Sequence, residues 1–483
     1  MAQKLILLEL NEVPYRVIDA YCQNRPDSTL ARILPKTDQY ETKTEDRLAL
    51  DPWISWSTLH RGVTDETHNI LHLGQVLEDV DKRYPPVWRI LKERKLKVGV
   101  FGSLHSSSLP PDVSDYSFYL PDYFDSDAFA HPKALMAFQE LNLAMTRQSA
   151  RNVTRTVPLA SATRFLKDAP SLGLTASTVV SSAAHLVREI FNPALRIRRR
   201  SYQPLLMADL FMKQMSSSLP DFATFYTNHV AAAMHRYWGA AFPGDYVQPL
   251  DADWVRRYSK EIEFAMDKFD IVLKRLVEFT DTTANCTLIV ASSMGQAAIP
   301  SEKTYEFLTI TDLGKFMAAL GVPVGEWEPR PAMVPCQCVV VSEQYRSNVM
   351  TALEGFTVHD SMMQWHQRPV APMSCDERQR GFFQFFVQFD NYAGPQAARL
   401  GGKDMRLADI GLGLMAHEDG VNCTAQHVPQ GSLLIYRPGR SRPPDRARSR
   451  VSTVDVVPSI MKYFGFDSQS YMPGSPSIAA ALQ

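Results

Sequence analysis

Ionisable or amide side chains lie beside several short apolar runs of this 483-residue chain. Glu12 comes two residues after the run LILLEL, His229 two residues after FATFYT, and Gln296 five residues after CTLIVA. Side chains of these types hold a divalent metal ion or act as general acids, general bases and hydrogen-bonding groups. The set that we place around such strand ends comprises Glu9, Glu12, His60, His68, His229, His235, Gln296, His417, Glu418 and His427. It predicts either one ion in an arrangement of its own or acid–base catalysis without a metal; the alternative is that members such as His60 and His68 only pack in the core.

The two glutamates of the first run have different expected roles. Residues three apart on an extended strand point to opposite faces, so Glu9 and Glu12 pair only if the chain turns after Asn11. Pro14 favours such a turn, because it keeps Val13 out of the helical region. We therefore predict a catalytic role for Glu12 at the mouth of a pocket and a structural role for Glu9.

Short β-rich runs recur between longer helical patterns, which indicates an α/β protein. Apolar runs of four to six residues with helices between them are typical of a mostly parallel sheet that is buried on both faces. The spacing of Trp254, Tyr258 and Ile262 predicts one helix over residues 252–279 that packs on this sheet. The predicted fold is a three-layer α/β architecture, with strands at LILLEL, KVGVFG, FATFYT, CTLIVA and GSLLIYRPG.

Two stretches interrupt this alternation. Residues 135–215 have helical patterns, and residues 301–400 are irregular and rich in Pro, Met and Gln. We interpret the first as a helical insertion and the second as a cap insertion, both near the carboxyl ends of the strands, where open α/β sheets place their sites. The remaining segments, 1–134, 216–300 and 401–483, are then three parts of one core.

The charge balance argues against recruitment by a global electrostatic field. Lys and Arg number 51 and Asp and Glu 52, a net charge of −1, so no nucleic-acid partner is expected. Six cysteines are too few for a disulfide framework, and Glu9 interrupts the first apolar run before it could form a signal peptide. We therefore expect a cytoplasmic protein. Arginines at 196–200 and 437–450, with the Ser-rich helix before the first group, leave room for a peripheral membrane contact.

Six segments, taken in order, resemble the alkaline phosphatase superfamily and, within it, the type I phosphodiesterase/nucleotide pyrophosphatase group. They cover roughly three-quarters of the chain and read LILLELNEV, PWISWSTLHRGVTDETHNI, VGVFGSLHSSSLPPDVSDYSFYLPDYF, FYTNHVAAAMHRYW, CTLIVASSMGQ and AQHVPQGSLLIYRPG with VSTVDVVPSIMKYFGF. The resemblance implies an alkaline phosphatase-like sheet. It also implies the family's chemistry, in which two zinc-like ions held by Asp and His activate a Thr or Ser nucleophile.

Carried over residue by residue, the resemblance leaves few suitable ligands. The nucleophile position, counted back from Gly62, holds Pro52, which has no hydroxyl. Two of six ligand positions keep a histidine and the carboxylates are missing, so a two-zinc site is not expected. The ligand positions hold Asn11, Ala231, His235, Ser293, Met294 and His427.

The resemblance then implies a rewired site. His235 and His427 would hold one divalent ion, zinc or manganese, with a neighbour such as His229. The catalytic candidates are Glu12, His229 and the hydroxyls of Ser55 and Thr58, which lie close to Pro52. Asn11, Ser293 and Gln296 would bind an anionic group through hydrogen bonds.

Three functions remain open on this sequence. The first is a hydrolase or transferase that acts on a phosphate or sulfate ester, either a small molecule or a glycan-linked anion. The second is a non-catalytic member of the fold that keeps the pocket as a binding or assembly module. The third, an ordinary two-metal phosphodiesterase, predicts zinc- or manganese-dependent cleavage of a nitrophenyl phosphodiester. Specificity would come from the two insertions, which match no motif, and the oligomeric state stays open.

Overall fold

The computed structural model describes most of the chain. The described residues are 3–124, 128–149, 158–299, 305–306, 308–332, 336–358, 361–362, 364–367, 381–386, 389–390, 397–414, 423–440 and 447–483.

Strands occur along the whole chain. In order they are β1 Lys4–Leu10, β2 Thr37–Lys43, β3 Val98–Phe101, β4 Phe118–Leu120, β5 Phe222–Thr227, β6 Cys286–Ala291, β7 Gly295–Ala298, β8 Tyr305–Glu306, β9 Leu308–Ile310, β10 Trp327–Arg330, β11 Gln337–Val341, β12 Thr357–Val358, β13 Ser361–Met362, β14 Gln364–Gln367, β15 Phe382–Phe386, β16 Phe389–Asp390, β17 Ala397–Leu400, β18 Lys403–Arg406, β19 Leu412–Leu414, β20 Ala425–Val428, β21 Gln430–Tyr436 and β22 Ser449–Ser452.

Helices fill most of the intervals between the core strands. They are α1 Tyr15–Asn24, α2 Thr29–Ile33, α3 Pro52–Arg61, α4 Asp65–His68, α5 Glu78–Arg83, α6 Val87–Glu93, α7 Met136–Ser149, α8 Leu159–Leu172, α9 Ala176–Phe191, α10 Gln203–Ser218, α11 His229–Ala241, α12 Ala252–Tyr258, α13 Glu261–Thr282, α14 Leu313–Ala319, α15 Glu343–Glu354, α16 Val456–Tyr463 and α17 Ala479–Leu482.

One eight-stranded sheet organises the core. Its strand order is β22-β2-β21-β6-β1-β5-β3-β4. Every neighbouring pair is parallel except the two that involve β21, which runs against both β2 and β6. The predicted mostly parallel α/β sheet is therefore confirmed. All five apolar runs that predicted strands lie in this sheet, whereas β2, β4 and β22 have no comparable apolar run.

Both faces of the sheet are covered by helices. On β1, Ile6 and Leu8 pack into one buried cluster with residues of α1, α10, α11 and α13. Leu5 and Leu7 point the other way, into a second cluster with residues of α3, α6 and α16. Each fully buried Leu or Ile side chain stabilises the fold by about 1.5–3 kcal/mol, and the alternation along β1 shares this gain between the two faces. The architecture thus has three layers, as predicted.

Two segments of the chain add to this core. Residues 136–149 form α7, and residues 159–218 are mostly helical, comprising α8, α9, a 3₁₀ segment at Pro193–Tyr202 and α10. Strands and helices between Leu308 and Leu412 enclose a third buried cluster of their own, built from residues such as Phe316, Val339 and Phe383. The single helix predicted over 252–279 is wrong in one respect, because the chain breaks it at Ser259 and Lys260 into α12 and α13.

The carboxyl ends of the parallel strands lie along one edge of the sheet. Asn11 follows β1, His229 follows β5, and Ser292 and Ser293 follow β6. β1 lies between β5 and β6, so these residues meet at the centre of that edge. None of the described helices combines the length and the apolar composition that crossing a bilayer requires.

Candidate functional site

A sharp turn at the end of β1 carries Glu12. The ladder with β5 continues through Asn11, whose N–H donates to Thr227 O (3.1 Å), and Glu12 then takes a left-handed backbone conformation with φ 60°. Ser292 and Ser432 bind the N–H and C=O of Val13 and so hold the turn. The turn predicted after Asn11 is present, and it sends the side chain of Glu12 away from the strand. A glutamate in this conformation is uncommon, and such backbone strain is concentrated at functional sites.

Two histidines face the carboxylate of Glu12. Nε2 of His235 lies 3.0 Å from Glu12 Oε2, and Nε2 of His427 lies 3.4 Å from the same oxygen. One ligand atom from each residue can be chosen so that all three lie within 4.8 Å of one another. Glu12 is buried, whereas the side chains of His235 and His427 keep 25% and 20% of their surface exposed. The group, which we call the Glu12 triad, is therefore reached from solvent on its histidine side.

Backbone carbonyls orient both imidazole rings. Nδ1 of His427 donates to Leu50 O (2.8 Å), and Nδ1 of His235 makes a longer contact with Ala425 O (3.4 Å). With the Nδ1 hydrogens held there, the Nε2 atoms of both rings point at Glu12. A metal-binding histidine is commonly fixed in this way, because the hydrogen bond of one ring nitrogen sets the tautomer of the other.

A two-stranded ribbon positions His427 and Gln296. β20 pairs with β7 in antiparallel fashion, and His427 lies directly opposite Gln296 in that register. Directly opposed residues place their side chains on the same face of the ribbon. Helix α11, which carries His235, packs on both strands. The three elements together close around Glu12.

Hydrogen-bond donors on two sides fix the carboxylate of Glu12. Asn11 Nδ2 donates to Oε1 (2.7 Å), and Gln296 Nε2 donates to Oε2. Asn11 is itself held by Trp56, whose indole N–H donates to its side-chain oxygen (2.7 Å), and by Asn228 (2.7 Å to Oδ1). Each donor leaves the carboxylate charged and locked in place, as an oxygen ligand to a metal needs to be.

The electrostatics of the triad favour positive charge at its centre. Burial alone would raise the pKa of Glu12, but His427 and His235 outweigh it and hold that pKa well below its usual range. Burial lowers the pKa of His427, and the carboxylates of Glu12 and Asp51 more than offset this, so that the pKa rises to about 9. The space between the side chains therefore attracts a cation, whether a proton on His427 or a metal ion.

One atom of the triad is left without a hydrogen bond. Nε2 of His427 is buried, and its nearest acceptor, Glu12 Oε2, is 3.4 Å away without the geometry of a hydrogen bond; Oε1 of Gln296 nearby has no hydrogen bond either. An unsatisfied buried polar atom costs about 1–3 kcal/mol, so such atoms call for an explanation such as a missing ion. Two imidazole nitrogens and one carboxylate oxygen are a ligand set found in catalytic zinc sites, which keep a further position open. The residues therefore fit a single divalent ion.

The serine candidates lie together at the same edge of the sheet. Ser55, on α3, and Ser293, after β6, are both buried, and their hydroxyl oxygens are 2.8 Å apart. One hydroxyl donates to the other, so the second keeps a hydrogen that could be given to an anion. Pro52, which the resemblance assigns to the nucleophile position, begins α3 in the first turn, where proline is favoured because its missing N–H has no partner to lose.

Thr58 belongs to a separate buried network. Ile70 N donates to Nδ1 of His68 (2.9 Å), so a neutral His68 carries its hydrogen on Nε2, which lies 3.0 Å from the Thr58 hydroxyl. That hydroxyl donates in turn to Asp46 (2.5 Å). The structure therefore does not bring Thr58 to the Glu12 triad.

His229 also points away from the triad. Its Nδ1 lies 2.6 Å from the Thr227 hydroxyl and its Nε2 donates to Ala265 O on α13 (3.1 Å). Burial lowers its pKa to about 4. Six helical residues turn the chain by about 240°, so His229 and His235 leave α11 on different faces. The third member beside His235 and His427 is Glu12, not the neighbour His229 that we predicted.

The remaining predicted positions divide into packing residues and residues outside the described part of the chain. Ala231 and Met294, which the resemblance assigns to two ligand positions, are buried apolar residues. His60 pairs with Glu9 in the core (2.9 Å). His417 and Glu418 fall outside the described residues.

Three supporting residues were missed by the sequence analysis. Asp51 lies 3.5 Å from Nδ1 of His427, and Trp56 and Asn228 hold Asn11. The dipeptide Asp51-Pro52 before α3 is a helix-start signal and could have drawn attention to Asp51. Nothing in the local sequence points to Trp56 or Asn228, because their contacts with Asn11 are made only in the folded chain.

The sequence matches no protein-family model and no curated protein. Solved structures are similar over nearly the whole chain. They include murine ectonucleotide pyrophosphatase/phosphodiesterase 5, with 10% identity and a TM-score of 0.44 over 100% of both chains. Phosphonoacetate hydrolase from Sinorhizobium meliloti, in complex with phosphonoformate, has 13% identity and a TM-score of 0.38 over 94% of both chains. Because these TM-scores are low, the fold is assigned from the strand order and strand directions described above.

Proposed function

We propose that this chain is a hydrolase or transferase of a phosphate or sulfate ester and that Glu12, His235 and His427 hold one divalent metal ion, zinc or manganese. The observation that carries the proposal is the buried Nε2 of His427, which makes no hydrogen bond and faces two further ligand atoms. An ion held there would act as a Lewis acid on a phosphoryl or sulfuryl oxygen and would lower the pKa of water.

The other residues of the site have supporting roles in this proposal. Asn11 and Gln296 orient the Glu12 carboxylate, and Leu50 O orients His427. In this proposal, the buried pair of Ser55 and Ser293 would donate its one remaining hydroxyl hydrogen to an anionic substrate. Thr58 gives its hydrogen to Asp46, so the threonine is not the attacking group in this proposal. Water would attack in a hydrolase, and the acceptor substrate would attack in a transferase.

A second candidate function is a binding module without turnover. The observation in its favour is that no candidate hydroxyl is exposed to attack a substrate. Proline stands at position 52, which the resemblance assigns to the nucleophile, and Ser55 and Thr58 are buried. A protein of this kind would keep the triad as a ligand-binding or assembly site, and it would bind an anion without cleaving it.

The decisive experiment measures metal content. Zinc and manganese are quantified by plasma mass spectrometry in the purified protein, before and after dialysis against each ion, for the wild type and for His235→Ala, Glu12→Gln and His229→Gln. We expect about one ion per chain in the wild type and in His229→Gln, and a more than 100-fold weaker affinity in the other two variants, since loss of an outer partner alone costs 10–100-fold. Stoichiometric metal in His235→Ala, with circular dichroism like the wild type, would disprove the site.

Activity separates the two candidate functions. Nitrophenyl phosphate, bis-nitrophenyl phosphate and nitrophenyl sulfate are offered to the zinc- and manganese-loaded protein at high concentration. The hydrolase proposal predicts turnover that Glu12→Gln abolishes and His229→Gln retains. A protein that binds one ion but releases no nitrophenol from any of the three would favour the binding module.

A further inference from the structure

Helix α9 is apolar on its outer side. Its exposed residues recur at steps of three and four along the helix and therefore form one stripe. The largest exposed fractions, 76% and 84%, belong to Ile190 and Phe191 at its carboxyl end. The other large members of the stripe are Val179, Val180, Leu186 and Val187. A surface helix of a globular protein normally turns such a stripe toward the core.

The inner side of α9 is polar, and several of its side chains contact groups beneath the helix. Glu189 is buried, forms an ion pair with Arg199 and lies 3.0 Å from Nε2 of His185. The His185 ring stacks on Tyr202, with ring centroids 4.5 Å apart. Arg275 donates to the Thr178 hydroxyl (3.0 Å). If the helix rotated to bury its apolar stripe, these polar groups would lose their partners. The contacts beneath the helix therefore hold it with its polar side inward and its apolar side outward.

The surroundings of this apolar stripe are basic. Residues 158–200 contain seven Lys or Arg and two Asp or Glu, in a chain whose total charge is −1. Some of the arginines form ion pairs, but Lys167 and Arg188 are exposed. Leu166 adds another large apolar side chain to the exposed surface of α8. Exposed apolar side chains bordered by positive charge are typical of helices that lie in the surface of an anionic bilayer.

We infer that α9 binds the surface of an anionic lipid membrane, with the apolar stripe in the acyl boundary and the basic residues at the headgroups. Sixteen residues make a helix about 24 Å long, which is shorter than a bilayer core and suits a helix that lies in the membrane plane. A second copy of the chain is the less favoured occupant. A symmetric contact would bring two basic segments together, and like charges at an interface oppose association.

The test is co-sedimentation with vesicles. The full chain is mixed with phosphatidylcholine vesicles, with or without phosphatidylglycerol, at low and high salt. We expect binding to the anionic vesicles that weakens at high salt, and at least a 10-fold loss of affinity in the double variant Ile190→Ser/Phe191→Ser. Val324→Ser, which alters a 92% exposed residue elsewhere, is the matched control and should bind like the wild type.

Vesicle binding and oligomeric state can each overturn the inference. One contrary result is the absence of binding to anionic vesicles, or binding that Ile190→Ser/Phe191→Ser leaves unchanged. The other is a wild-type dimer in sedimentation velocity that becomes a monomer in the same variant, which would identify a second copy as the occupant. Both side chains are largely exposed, so folding should be kept, and circular dichroism checks this.

Discussion

Two glutamate–histidine groups lie three residues apart on the first strand and its turn, and they have opposite characters. Glu9 and His60 are sealed in the core, at 0% and 2% side-chain exposure, beside the rings of Trp56 and Trp88. Glu12 meets two histidines whose side chains keep 25% and 20% of their surface exposed. The residue types are the same, but only the second group has a path to solvent.

The difference comes from the backbone rather than from the side chains. Glu9 belongs to the regular strand, and its Oε1 accepts from His60 and Ser103. Glu12 follows the strand in a left-handed conformation that turns it toward α11 and the β7–β20 ribbon. A single turn thus separates a group that stabilises the core from a group with the composition of a metal site.

The sharpest way to break this comparison is to remove each carboxylate in turn. Glu9→Ala should lower the free energy of unfolding by about 3–5 kcal/mol, because it leaves His60 buried without its partner. Glu12→Ala should lower the free energy of unfolding by less, because water can reach the two histidines that lose their carboxylate partner. Urea unfolding measures both. Equal losses in the two variants would mean that the open group is as structural as the closed one.

The pH dependence of the free energy of unfolding tests how a histidine sealed in the core, such as His229, differs from the solvent-accessible histidines of the Glu12 triad. The pKa of folded His229 is about 4, against an ordinary value near 6.5, so between these values only the unfolded chain gains a proton there. The contribution of neutral His229 to the free energy of unfolding is therefore fully present above pH 6.5. As the pH falls toward 4, this contribution is lost, and the free energy of unfolding drops by about 3 kcal/mol. Urea midpoints of wild type and His229→Gln between pH 7 and pH 4.5 should show a shallower fall in the variant. Parallel curves would contradict this.

The smallest effect concerns a residue that orients Glu12. Gln296→Leu removes both the Nε2 donor to Glu12 Oε2 and the buried Oε1, which has no hydrogen bond. We expect the affinity for zinc to fall by about 10–100-fold with little change in unfolding midpoint. Competition with a chelating dye measures the affinity. Gln426→Leu, at an exposed position of the same ribbon, is the control, and an equal loss there would show that ribbon stability, not orientation, is being measured.

Much of the fold could be predicted because buried parallel strands have a plain sequence pattern. Runs such as LILLEL and CTLIVA have no polar alternation and so must be covered on both faces. β2 escaped prediction because TDQYETK lies near the edge of the sheet and is only partly buried. The break between α12 and α13 escaped as well, since the apolar spacing continues across it.

The site was predictable only where chemistry and local conformation agreed. Pro14 pointed to the turn that frees Glu12, and the resemblance pointed to His235 and His427. The position of His229 next to β5 was a weaker guide, because the direction of its ring depends on Ala265, 36 residues later. Side-chain direction at a helix start is set by the tertiary packing, which a single sequence does not contain.

The Glu12 triad draws its members from widely separated parts of the chain. Glu12 lies in the turn after the first strand, His235 lies on α11, and His427 is on the ribbon strand just before β21. On the ribosome, the earlier elements emerge long before β20 does. Any ion held by the triad would therefore be captured late in folding, and a protein truncated before residue 425 would keep five neighbouring parallel strands yet have no complete place for it.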